Sequence, residues 1–100
     1  MLYKYVLHEH AQEEYETSLK WYAVRSKQAA EGLVKAIDDA LLLVCKYPTR
    51  WKNNYKSYHE LGLKKYPFSI IYTIEINQQL VIVTSIYHHK RNPKKKYKKS

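Results

Sequence analysis

The apolar residues of this chain change period once, and that change decides what it can fold into. Ala11, Tyr15, Leu19 and Tyr22 recur at spacings of three and four, with Glu13, Glu14, Glu16 and Lys20 between them. Such spacing lays one apolar stripe along a helix from about His10 to about Arg25. Its early acidic residues suit the positive end of the helix dipole. Ser26 then offers an N-cap for a second helix, whose buried stripe is Ala30, Leu33, Ile37, Leu41 and Val44 and which Pro48 closes. So short a link makes the two helices an antiparallel hairpin.

Beyond Pro48 the period falls to two. Residues 49–56 are polar and read as a loop. In residues 58–65, Leu61 and Leu63 alternate with Glu60 and Lys64. In residues 68–76, Phe68, Ile70, Tyr72, Ile74 and Ile76 alternate with Ser69, Thr73 and Glu75. Asn77, Gln78 and Gln79 suit a tight connection, and residues 80–87 are apolar on both faces for much of their length, as in a central strand. Residues 2–7 read as a further short strand. The order predicts an α+β fold: an N-terminal strand, an antiparallel two-helix hairpin, then a three-stranded antiparallel meander with the helices packed on one face of the sheet.

Length and composition narrow the function. With 100 residues, 45% of them hydrophobic, the expectation is one domain over residues 1–100 with a core that needs no disulfide or metal. The one cysteine, Cys45, sits in an apolar helical run and reads as a buried small hydrophobe. Two glycines cannot build a phosphate-cradling loop, which excludes nucleotide-dependent chemistry, and no cofactor is expected. No stretch approaches the roughly 18–20 apolar residues of a membrane span. Charge at Glu9 comes too early for a signal-peptide core, so a cytoplasmic location is expected.

The net charge of +9 is unevenly spread. Lys90, Arg91, Lys94, Lys95, Lys96, Lys98 and Lys99 form an arm over about residues 90–100 with no acidic residue among them. The rest of the chain holds 11 basic and nine acidic residues, a balance of +2. Such an arm favours polyanions by counterion release. It has few apolar residues to insert into a membrane.

Several segments together resemble a known family. Glu14-Tyr15 and Lys20-Trp21-Tyr22 lie in the first helix, and Pro48 follows the second. Then come Leu63-Lys64-Lys65-Tyr66-Pro67-Phe68-Ser69-Ile70-Ile71-Tyr72 and Tyr87-His88-His89-Lys90-Arg91-Asn92-Pro93. In this arrangement the chain is similar to the RelE/ParE toxins of bacterial type II toxin–antitoxin systems, also called plasmid-stabilisation proteins. The first of the two long blocks reads as fold, because Pro67 suits a strand start and Phe68 and Tyr72 point the same way into the core. The second puts two imidazoles and a guanidinium at a strand's end.

The resemblance implies one of two activities. RelE-type members are mRNA interferases: they cut messenger RNA in the ribosomal A site without a metal, a ribose 2′-OH attacking the adjacent phosphate. ParE-type members share the fold but poison DNA gyrase. For the first activity Arg91 would clamp the phosphate, and His88 or His89 would act as the acid. Tyr97 would stack on a base or hold the 2′-OH. The step from Arg91 to Tyr97 is similar to the Arg-to-terminal-Tyr spacing of ribosome-dependent members. Lys52, Lys64, Lys65, Lys90, Lys94 and Lys95 would hold the RNA backbone. A strand alternates its faces, so only one of His88 and His89 faces a groove easily, and adjacent histidines rarely converge on one metal ion. Where many members carry an arginine in the second strand, this sequence has roughly His59. The nearest counterpart of the glutamate base of one RNA-cutting branch is Glu60. Either activity implies a cognate antitoxin, an apolar and acidic peptide covering the cationic surface and an exposed aromatic such as Trp51 or Tyr55.

Overall fold

The computed structural model describes residues 2–51 and 53–90. Two helices and five strands follow in the order β1 (Lys4–Leu7), α1 (Glu9–Arg25), α2 (Lys27–Lys46), β2 (Asn53–Tyr55), β3 (Tyr58–Gly62), β4 (Phe68–Glu75) and β5 (Leu80–His88). Ser26 alone separates the helices, and its side chain accepts a hydrogen bond from the Ala29 N–H, as its N-cap reading requires. The stripe read for α2 is buried in full: Ala30, Leu33, Ile37, Leu41 and Val44 all lie in the core, with Cys45 beside them. Burial raises the pKa of the Cys45 thiol above its ordinary value.

The strands form one sheet in the order β1-β5-β4-β3-β2. β2 to β5 run antiparallel, while β1 lies parallel to β5 and makes the sheet mixed. β5 is thus flanked on both sides, and its residues 83–87 are all buried whichever face they lie on, which is why its sequence shows little alternation. The helices cover one face. Leu33, Ile37, Leu41 and Val44 of α2 pack there with Leu61, Phe68, Ile70, Tyr72, Val81, Val83 and Ile86. A separate small cluster, Tyr58, Ile71 and Tyr87, lies on the other face.

Four details differ from the sequence reading. Residues 53–55 form a strand rather than loop, because an edge strand pairs on one side only and need not alternate. Lys64 and Lys65 lie in an exposed turn, not on a strand. Pairing stops at Gly62 opposite Ser69, and Pro67 has no N–H with which to carry the ladder on to Lys64. Trp51 is half-buried against the core, leaving Tyr55 as the more exposed of those two aromatics. Glu14, read as one of the solvent-facing acids of α1, is 4% exposed, and the side chains α1 buries are Ala11, Glu14 and Ser18.

Candidate functional site

Glu14 points inward because β5 carries an irregularity. Ile71 of β4 pairs with Ser85, but the next residue, Tyr72, pairs with Val83, so β5 has one residue too many between them. A bulge of this kind leaves backbone groups outside the ladder. The Glu14 carboxylate meets them from α1, accepting hydrogen bonds from the Ile86 N–H at 2.9 Å and the Ser85 hydroxyl at 2.6 Å. His10, one turn earlier, approaches the same carboxylate oxygen at 3.4 Å. The extra residue also resets which side chains face the helices. Val81 and Val83 do so before the bulge, and Ile86 does so after it.

From there the end of β5 alternates regularly, and the two histidines part. His88 lies on the helix face, its ring edge-on to Phe68 with centroids 4.9 Å apart, and its Nδ1 accepts from the Lys90 N–H at 3.1 Å. Tyr87 lies on the opposite face with Tyr58 and Ile71. His89 follows Tyr87 onto that second face. Its Nε2 is 2.8 Å from the Oγ of Ser69, and its backbone N–H donates to the Pro67 carbonyl at 2.9 Å. The imidazole is therefore anchored both through its ring and through its backbone.

Register brings other polar groups to the second face. Glu60 is opposite Ile71, and Gly62 is opposite Ser69, so Glu60 and Ser69 are diagonal neighbours. Sheet geometry sets such neighbours about 7–8 Å apart. Ser69 is in turn opposite Tyr87. The 63–67 turn, with exposed Lys64 and Lys65, closes the same end of the sheet, and Lys90 is exposed just beyond β5. The second face thus carries a carboxylate, a hydroxyl-anchored imidazole and two tyrosines, with lysines at its end. Among the described residues no three His, Cys, Asp or Glu side chains converge as a metal would need.

On the helix side, the end of β5 borders a cleft of about 530 Å³. It is lined by Ser18, Trp21 and Tyr22 of α1, by Phe68, and by His88 and Lys90. Trp21 is 52% exposed, and the Arg25 guanidinium lies over its ring at 3.8 Å. His88 therefore belongs to an aromatic cleft and His89 to the polar second face.

Arg91, Tyr97, Lys52, Lys94 and Lys95, all read as site residues, lie outside the described residues. The fold brings His89, Lys64, Lys65 and Lys90 to one end of the molecule and turns His88 to the other side of the sheet. Sequence reasoning passed over Ser69, because a serine in an alternating strand looks like any solvent-side polar residue. Only the register of β4 against β5 shows what it meets.

The sequence matches the family model described as ParE toxin of type II toxin–antitoxin system, parDE, over residues 5–93. The chain belongs to the ParE toxin family. It is accordingly a toxin component of a type II toxin–antitoxin system. No curated protein matches it in sequence. Among solved structures, the family member resembles a chain of the chromosomal ParDE system of P. aeruginosa, with a TM-score of 0.73 and 14% identity, covering 88% of this chain and 96% of that one. It also resembles a doubly substituted E. coli RelE in the free state, with a TM-score of 0.62 and 17% identity over 90% and 86% of the two chains. The toxin fold recurs in the intact E. coli RelBE toxin–antitoxin complex, again at 0.62 and 17%, over 89% of this chain and 99% of that one. At these identities the structural likeness speaks for the fold. Among the described residues no helix of this ParE-family chain is long and apolar enough to cross a membrane.

Proposed function

We propose that this ParE-family toxin is a metal-independent endonuclease that cuts messenger RNA on the ribosome. The observation that carries the reading is the second sheet face, where Glu60 is the diagonal neighbour of Ser69 and Ser69 anchors the His89 ring. Cleavage of RNA by its own 2′-OH needs a base at that hydroxyl, cations on the phosphate and an acid at the leaving oxygen. The Glu60 carboxylate takes the 2′-OH proton as the 2′-oxygen bonds to phosphorus. The bond to the 5′-oxygen breaks, and His89 gives that oxygen its proton. The products are a 2′,3′-cyclic phosphate and a 5′-hydroxyl. Lys64, Lys65 and Lys90 hold the backbone, with Lys52, Lys94 and Lys95 extending that contact. Arg91 clamps the scissile phosphate and Tyr97 stacks on a base or holds the 2′-OH. In this reading His88 takes no part in the chemistry.

A second reading is gyrase inhibition without cleavage. The match to the ParE family model favours it, since gyrase poisoning is the activity that a ParE-type resemblance implies. Either way the partner is a cognate antitoxin. An acidic segment with apolar anchors suits the cleft beside Trp21, where Arg25 and Lys90 supply the opposite charge.

Primer extension on cellular mRNAs, a few minutes after inducing the toxin, separates the readings. Breaks that keep codon phase, require translation and vanish in Arg91→Ala are the expected result. Intact messages in arrested cells, together with loss of plasmid supercoiling, would replace the nuclease by the gyrase reading.

A further inference from the structure

The two sequence blocks that carry the family resemblance meet along the end of the β4–β5 ladder, and there the Ser69 hydroxyl bonds to the His89 ring. The first block looked purely structural, yet the side chain of its Ser69 bonds to an imidazole of the second block. Its hydroxyl is held still: the residue is 2% exposed, with Gly62 opposite on β3 and Tyr87 opposite on β5. His89, by contrast, is exposed and stands at the end of β5. A free histidine there would turn about its side-chain bonds and present either nitrogen. Here the Pro67 carbonyl fixes its backbone and Ser69 takes its Nε2, so Nδ1 is the ring nitrogen left to face a substrate.

We propose that Ser69 is a positioning residue: by accepting the hydrogen bond of the His89 Nε2–H, it makes Nδ1 the nitrogen that gains and gives the catalytic proton. This rests on the nuclease reading above. A serine oxygen can accept from Nε2–H in both states of the ring. The imidazolium carries protons on both nitrogens, donates Nε2–H to Ser69 and turns Nδ1–H outward. As the bond from phosphorus to the 5′-oxygen breaks, the Nδ1 proton passes to that oxygen. The ring is left neutral, still protonated on Nε2 and still held. Reprotonation at Nδ1 from water and loss of the 2′-OH proton from Glu60 to water complete the cycle. The orienting bond is never broken, so no rotation of the ring is needed between turnovers. Holding a reacting group in its productive orientation is worth large rate factors in enzymes generally.

The test uses the full-length chain, with Ser69→Ala, Ser69→Thr and the unsubstituted protein, in two measurements. The first is nitrogen-15 NMR of the His89 ring in the Arg91→Ala background, which permits production of the toxin. The expected neutral ring is protonated on Nε2 alone, and Ser69→Ala gives a mixture of the two tautomers. A neutral ring protonated on Nδ1 in the protein with Ser69 intact overturns the proposal, whether or not any variant folds. The second is cleavage of mRNA on programmed ribosomes across pH. Ser69→Ala is expected to lose about 10- to 100-fold in rate with KM little changed, and to alter the alkaline limb of the pH profile, on which a general acid loses its proton. Ser69→Thr, which keeps the hydroxyl, is expected to stay within a few-fold. Equal rates and profiles for Ser69→Ala and the unsubstituted toxin overturn the positioning role while leaving the nuclease reading intact. Equal loss in both variants assigns Ser69 to packing and also overturns it. If the unsubstituted toxin cuts nothing, the nuclease reading itself falls and the proposal falls with it.

Discussion

Tyr72 reaches from β4 to the far end of α2, where its hydroxyl donates to the Pro48 carbonyl at 2.6 Å. Burial raises its pKa well above the ordinary tyrosine value. Burial also raises that of Tyr15, with smaller contributions from the Asp38 charge and from Tyr5. Both groups keep their protons in the folded state at a pH where the unfolded chain loses them. Their stabilisation is therefore complete below the unfolded pKa of about 10 and is lost as pH rises from there towards the folded values. Tyr72→Phe should lower stability by about 1 kcal/mol near neutral pH, the usual worth of one such bond. It should also flatten the fall in stability above about pH 10. Urea unfolding at the two pH values checks both. At this scale the apolar core was legible and the buried polar groups were not. Leu33 and Ile37 announce themselves by spacing. Glu14 has the spacing of a core residue and the chemistry of a surface one, and nothing in the sequence says that a bulge on a strand 71 residues away wants a carboxylate.

Helix α2 carries a glycine in its interior, where glycine ordinarily weakens a helix by about 1 kcal/mol relative to alanine. Gly32 has a reason to be there. The Tyr66 hydroxyl donates to the Ala29 carbonyl at 2.9 Å, and a Cβ on Gly32 would run into that hydroxyl. The bond ties the 63–67 turn, with its two lysines, to the helix hairpin. Gly32→Ala should therefore destabilise the protein despite its better helix propensity. Tyr66→Phe in the same chain should recover part of the stability, and thermal melts of the two single variants and the double variant measure the coupling. Both helices, their junction at Ser26, and the bodies of β3, β4 and β5 were legible because each repeats a period over several residues. β2 was not, since three polar residues on a sheet edge repeat nothing. The direction of β1 was not either, because its parallel pairing with β5 depends on where the whole chain returns.

Across the whole molecule, charge and fold are separated. The two-layer body is nearly balanced and the surplus of positive charge lies in the last residues of the sequence. Affinity for single-stranded RNA should thus depend on salt mainly through that segment. Replacing Lys94, Lys95 and Lys96 by Gln should make the plot of log affinity against log salt shallower by about two units, at about 0.7 for each phosphate no longer neutralised. Filter binding over a salt series checks this, and an unchanged slope would move RNA recognition onto the body. The fold class and family were legible from the sequence as a whole. The site was legible only as a set of candidates, because which side of a sheet a residue occupies is decided by register. The irregularity in β5 makes the point for anyone comparing relatives of this protein. One residue inserted or deleted there exchanges the faces of those that follow it. An alignment gap slid from one side of Thr84 to beyond His89 would equate the polar-face imidazole of this toxin with the cleft-facing residue of another. Relatives are best matched by counting back from the strand's final turn, with the gap placed where the carboxylate of the first helix shows it belongs.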